Sequence, residues 1–220
     1  MKTIVAPSIL SADFSNLKEE IEKVGASGAT FIHLDVMDGK FVPNKTFGPD
    51  LVASISPFCV GLVKDTHLMI VDPLEQVDAF ADAGSDIITF HYEAVDGIEG
   101  AKRVIDKIHA RGIKAGISIK PVTSPKQILP LLSLLDLVLV MSVEPGKGGQ
   151  SFLENALDKI AYLRTEINRI GRDIYLEVDG GINEKTGRLC VEKGANVLVA
   201  GSYIYGHDDF ADRIRGLLEV

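Results

Sequence analysis

Short runs rich in β-branched and other apolar residues recur along the chain. Longer stretches separate them, in which apolar positions return every three or four residues. The runs TIVAPSI (3–9), TFIHLD (30–35), VGLVKDTHLM (60–69), DIITFH (86–91), KAGISI (114–119), DLVLVM (136–141), DIYLEV (173–178) and NVLVAG (196–201) are predicted strands. Helical patterns lie between them. NLKEEIEKVGAS (16–27) places Leu17, Ile21 and Val24 on one stripe. LEQVDAFADAG (74–84), IEGAKRVIDKIHARG (98–112), PKQILPLLSL (125–134), LENALDKIAYLRTEINRIG (153–171), EKTGRLCVEKG (184–194) and DDFADRIRGLL (208–218) repeat the theme. Gly84, Gly112, Gly171 and Gly194 stand where helices stop. NKTFGPDLVASISPF (44–58) is less regular and is expected to hold one short helix around 49–56.

Alternating strand and helix units imply a parallel sheet. Eight such units in 220 residues, with no Pro/Gly/Ser-rich linker, fit one α/β domain over 1–220, a compact (β/α)8 barrel. A doubly wound open sheet fits the same pattern. Composition adds little: 46% hydrophobic and 25% charged residues are ordinary for a soluble globular protein. The net charge of −8 argues against non-specific nucleic-acid or anionic-membrane partners, though a local pocket can still take an anion. Cys59 and Cys190 are far apart, sit in apolar segments and read as reduced core residues. The start is apolar only briefly, and no apolar run is long enough to span a bilayer, so the expectation is a soluble, cytoplasmic protein.

The unusual residues gather at strand C-termini, the end where a barrel builds its site. HLDVMDG (33–39) puts His33, Asp35 and Met37 on one face of a strand and Leu34 and Val36 on the other. Polar groups on an inward face need partners. Asp65, His67 and Met69 share a face of the next strand, Met141 ends the sixth, and Asp179 ends the seventh. His33, Asp35, His67 and Asp179 give two imidazoles and two carboxylates. That mixture suits one divalent metal ion, zinc first, with iron, cobalt or manganese as alternatives. His91 also ends a strand, but is left out of this set. His109 and His207 read as solvated.

Glycines form a second theme. VEPGKGGQSF (143–152), DGGI (179–182) and AGSYI (200–204) follow the last three strands. Gly146, Gly148 and Gly149, then Gly180 and Gly181, then Gly201 with Ser202, let backbone N–H groups approach a phosphate. Barrels often bind phosphate with the loops after strands seven and eight. Lys147 either adds a charge to that phosphate or points into water.

IHLDVMDGKFVPN, DTHLMIVDP, VMSVEPGKGGQSF, EVDGGIN and VAGSYIY together resemble the ribulose-phosphate 3-epimerase family, in order, from APSILSADF to the last strand. The resemblance implies a TIM barrel of ribulose-phosphate-binding type and the interconversion of D-ribulose 5-phosphate and D-xylulose 5-phosphate. It makes Asp35 and Asp179 the acid/base pair, and His33, Asp35, His67 and Asp179 the ligands of a metal that stabilises an enediolate. It sets Ser8 and His67 against the sugar and Met37, Met69 and Met141 around the reacting centre. It implies a homo-oligomer, a dimer or hexamer. Two departures stand out: GKGG, where the family more often has an aromatic at the position of Lys147, and IKPVT at the end of strand five. The related chemistry on allulose 6-phosphate stays open, as do a metal-dependent phosphosugar lyase and a non-catalytic phosphosugar binder.

Overall fold

Neighbouring strands pair in parallel all the way round the sheet, as strands linked by helical crossovers must. The computed structural model describes residues 2–220. Its strands are β1 (Ile4–Pro7), β2 (Phe31–Met37), β3 (Val63–Met69), β4 (Ile87–His91), β5 (Lys114–Ile119), β6 (Leu137–Met141), β7 (Tyr175–Asp179) and β8 (Val197–Ala200). Their order is β1-β8-β7-β6-β5-β4-β3-β2, and an isolated parallel bridge between Ser8 and His33 joins the two ends. The result is the expected (β/α)8 barrel, and the open-sheet alternative falls away.

Around it run α1 (Leu17–Ala26), α2 (Pro49–Ile55), α3 (Pro73–Asp82), α4 (Gly97–Ala110), α5 (Asn155–Ile170), α6 (Glu184–Glu192) and α7 (Phe210–Leu218). Their apolar stripes face the sheet. In α4 the buried side chains Ala101, Val104, Ile105 and Ile108 recur at helical spacing. Burying a side chain the size of Val or Ile in this layer contributes roughly 1.5–3 kcal/mol. The outward faces of the strands complete the layer: Ile32, Leu34 and Val36 of β2 join the main core. No described helix is long and apolar enough to cross a membrane.

Two expectations need correction. The pattern at 125–134 forms a 3-10 helix, Pro125–Leu134, not an α-helix. Pro130 lies inside it, lacks an N–H and would crowd the preceding turn of an α-helix. The third strand begins at Val63 rather than residue 60, because Gly61 takes a left-handed turn (φ 76°) just before it.

The barrel interior is layered. Phe31, Ile87, Leu137, Val197 and Val199 contribute to an apolar plug. His33, Asp65, Glu177 and Thr89 are fully buried nearby, an unusual polar layer for a barrel core. Asp35 and the methionines lie above it, toward the C-terminal ends of the strands.

Candidate active site

Register builds the site. Across β2 and β3, His33 is opposite Asp65, Asp35 opposite His67, and Met37 opposite Met69. Alternation turns all six into the barrel. Across β6 and β7, Met141 is opposite Asp179. The Ser8–His33 bridge brings the end of β1 beside β2.

The Ser8 hydroxyl donates to Asp35 Oδ2 at 2.6 Å. Asp35 Oδ1 faces both imidazoles, 3.1 Å from His67 Nδ1 and 3.3 Å from His33 Nε2. One ligand atom each from His33, Asp35, His67 and Asp179 lies within 4.8 Å of the others. His33 Nε2 is buried and has no hydrogen-bond partner. A buried nitrogen without a partner, facing two carboxylates and a second imidazole, fits a divalent cation. This cluster could hold a metal ion.

Support comes from below. His33 Nδ1 lies 2.6 Å from Asp65 Oδ2, and Thr89 donates to Asp65 Oδ1 at 3.3 Å. Glu177 is buried alongside, 3.8 Å from His33 Nδ1. A carboxylate behind the ring fixes its orientation and leaves Nε2 toward the cluster.

Charge is unevenly distributed. Burial acts to raise the Asp35 carboxyl, but His33 and His67 outweigh it and hold Asp35 well below the usual carboxylate range. Burial and the neighbouring Asp35 push Asp179 up to about 6. Burial, reinforced by Asp65, raises Glu177 well above its ordinary value. Burial disfavours a charged His33, yet Asp35 and Asp65 raise it well above the ordinary imidazole value. The cluster as a whole favours positive charge at its centre. The two carboxylates therefore differ in their affinity for a proton.

A cleft opens above the cluster. Asp35, Asp179, Met37, Met69 and Met141 line it, and Ser8 stands at its side. Its rim consists of Gly146, Lys147, Gly148 and Gly149, Gly180 and Gly181, and Gly201 and Ser202. His33 and His67 lie fully buried beneath it. Lys147 is the one Lys, Arg or His side chain lining this mouth among the described residues, and it is exposed.

The rim loops are tied down. Gln150 Nε2 donates to the carbonyls of Glu144 (2.7 Å) and Lys147 (2.8 Å), and Asn44 Nδ2 donates to that of Gly146 (2.7 Å). The Ser142 hydroxyl reaches the carbonyls of Asp179 and Gly180. Gly180 and Gly181 both have positive φ (123° and 64°). A Cβ on Gly181 would meet Phe152 N at 2.6 Å. Glycine there is demanded by the fold, and its missing side chain leaves the rim backbone bare.

Some site neighbours escaped the sequence reading. His91, set aside there, is fully buried with Nε2 2.9 Å from His67 Nε2. Burial pushes its imidazole down to about 4. Its Nδ1 lies 3.2 Å from Glu93 Oε2. The available signal was alternation: Ile87, Thr89 and His91 share the inward face of β4, as Glu177 and Asp179 share that of β7. His109 and His207 are exposed, as expected. Cys59 and Cys190 are free and buried, and burial pushes their thiols up to about 11 and about 12.

Comparison with known proteins follows the same line. The sequence profile of the Ribulose-phosphate 3 epimerase family matches residues 4–205. The ribulose-phosphate 3-epimerase of Bacillus subtilis (strain 168) is 47% identical over 206 residues, covering 93% of each chain. The chloroplastic ribulose-5-phosphate-3-epimerase of Arabidopsis thaliana is 44% identical over 214 residues, covering 97% of this chain and 75% of the plant protein. Among solved structures, a 3-hexulose-6-phosphate synthase superposes with a TM-score of 0.73 at 20% identity, covering 100% of this chain and 99% of its own. The 3-keto-L-gulonate-6-phosphate decarboxylase of Vibrio cholerae does so at 0.75 and 14%, covering 100% and 97%. At such identities these two structures share the fold alone.

Proposed function

The chain belongs to the ribulose-phosphate 3 epimerase family, and from that membership we propose how its barrel mouth inverts a sugar phosphate at C3. It is an isomerase, and the reaction interconverts D-ribulose 5-phosphate and D-xylulose 5-phosphate. A proton must leave the carbon beside the ketone from one face and another must return to the opposite face. That C–H is a very weak acid, so the charge left behind needs stabilising.

His33, Asp35, His67 and Asp179 would hold one divalent ion, zinc first by its preference for mixed nitrogen and oxygen donors, with iron(II), cobalt(II) or manganese(II) as alternatives. When bound, the ion supplies Lewis-acid stabilisation of that developing charge. Asp35, ionised, takes the C3 proton in one direction, and Asp179, the more readily protonated, returns one. Their roles exchange in reverse, and the two titrate as a unit. Ser8 keeps Asp35 oriented. Met37, Met69 and Met141 cover the reacting carbon, exclude water and offer no competing proton. The backbone at Gly146–Gly149, Gly180–Gly181 and Gly201–Ser202 takes the phosphate, with Lys147 adding a positive charge at the rim.

The observation that carries this reading is the placement of both acids at the floor of a glycine-rimmed mouth, within reach of the same two imidazoles. The test is an assay of chelator-treated protein with and without added divalent ion. Ribulose 5-phosphate should be turned over only with the ion present. Turnover of allulose 6-phosphate instead would move the substrate to six carbons, and release of a triose or aldehyde would make the protein a lyase. Undiminished turnover after chelation would remove the metal from the mechanism.

A further inference from the structure

We propose that His91 and Glu93 form a positioning relay that sets the tautomer of His67, so that its Nδ1 offers a lone pair to the divalent ion. The inference rests on the metal reading above and extends it to two residues outside the ligand set.

The argument is one of proton counting. His67 Nε2 and His91 Nε2 lie 2.9 Å apart, both rings fully buried. Ring nitrogens that close are bonded only if one carries hydrogen and the other a lone pair. The far side of His91 decides which. Its Nδ1 lies 3.2 Å from Glu93 Oε2. Glu93 Oε1 accepts from the Lys120 backbone N–H at 2.8 Å and from the Thr123 hydroxyl. Two donors on Oε1 favour the ionised form of Glu93, and a carboxylate only accepts. His91 Nδ1 therefore carries the hydrogen, and neutral His91 has a lone pair at Nε2. His67 Nε2 must then donate, and in the neutral imidazole that a metal requires this leaves the lone pair at Nδ1.

That lone pair faces Asp35 Oδ1 at 3.1 Å. Two acceptors facing each other repel, and a cation shared between them relieves the repulsion. The relay is thus consistent with an ion at the cluster for a reason independent of ligand counting.

The surroundings hold the relay still and dry. Phe41 packs at a tilt against His91 with ring centroids 4.8 Å apart, and Lys120 Nζ lies 4.1 Å from the centre of the Phe41 ring. Lys159 Nζ donates to the carbonyls of Lys120 (3.0 Å), Pro121 (2.7 Å) and Thr123 (2.7 Å), fixing the loop that supplies the donors to Glu93. Partners behind a metal-binding histidine commonly alter metal affinity by 10–100-fold.

The test is zinc affinity, measured by competition with a chromogenic chelator on metal-free protein whose fold is checked by circular dichroism. Glu93→Gln and His91→Phe should each weaken zinc binding about 10–100-fold. His91→Gln should stay close to wild type, because its amide can accept from His67 and donate to Glu93. Equal losses in His91→Gln and His91→Phe would reduce His91 to packing and overturn the relay. Wild-type affinity in all three variants would overturn it while leaving the metal site standing. A wild-type protein that binds no divalent ion would overturn both. Long-range 15N–1H correlation spectra of the metal-free wild type give a reading that needs no variant: His91 should carry its hydrogen on Nδ1, and a hydrogen on Nε2 would contradict the relay.

Discussion

The Ser8 hydroxyl is bonded to Oδ2 of Asp35 at 2.6 Å, which turns Oδ1 of the same carboxylate toward His33 and His67. One short contact between β1 and β2 thereby orients the group assigned as base. A hydrogen bond to an ionised group contributes about 1.5–3 kcal/mol. Ser8→Ala should lower kcat roughly 10-fold with little change in KM, since the loss falls on proton transfer more than on binding. A purely binding role for Ser8 would raise KM instead.

Asp35→Asn should remove the proposed base and one proposed ligand while keeping the size of the side chain. Turnover should fall by about 1,000-fold or more, in the range that general acid–base catalysis supplies. Circular dichroism should show the barrel intact. A folded variant with full activity would refute the role.

Lys147 is exposed at the rim, so its attraction for a phosphate is screened by solvent and by salt. Lys147→Ala should raise KM about 3- to 10-fold and leave kcat nearly unchanged. The dependence of KM on ionic strength should also become shallower. An unchanged KM across a salt series would mean that the side chain points into water.

Gly181→Ala probes the bare rim. Its left-handed backbone and the 2.6 Å approach of a Cβ to Phe152 N leave no room for a methyl group. Urea melts should show a loss of about 3 kcal/mol or more, from the backbone conformation and the clash together. KM for the sugar phosphate should rise in parallel.

Glu93 makes stability depend on acid. Burial acts to raise its carboxyl, but bonds from His91, Thr123 and the Lys120 N–H hold it at about 2, below the ordinary 4.5. A depressed carboxyl stabilises the fold above about pH 4.5 and loses that contribution as pH falls toward 2. Its size is about 2 kcal/mol once partial exposure is allowed for. Urea melts between pH 6 and pH 3 should therefore fall more steeply for wild type than for Glu93→Gln. Parallel slopes would contradict the assignment.

Much of this was legible in the chain because a strand's alternation is local information. His33, Asp35 and Met37 had to share a face, and the barrel pattern told which end they would occupy. Glycines at turns read equally well, since their backbone demands do not depend on distant partners. The roles of Asp35 and Asp179 came from the family resemblance rather than from spacing. What stayed hidden depends on neighbours far away in sequence. His91 looked like an isolated strand-end histidine until the fold brought its Nε2 within 2.9 Å of that of His67, and Glu93 mattered only once the loop at Lys120–Thr123 came alongside it. The 3-10 segment at Pro125–Leu134 was misread because its apolar spacing suits a helix, while Pro130 decides which kind.

The most direct measurement is the fate of the C3 hydrogen. Protein loaded with a divalent ion is incubated with ribulose 5-phosphate in D2O, and the products are followed by NMR. A base and an acid on opposite faces must deliver solvent deuterium to C3, so xylulose 5-phosphate should appear carrying deuterium there. Xylulose 5-phosphate that retains its original C3 hydrogen, or no conversion at all, would contradict the two-carboxylate mechanism.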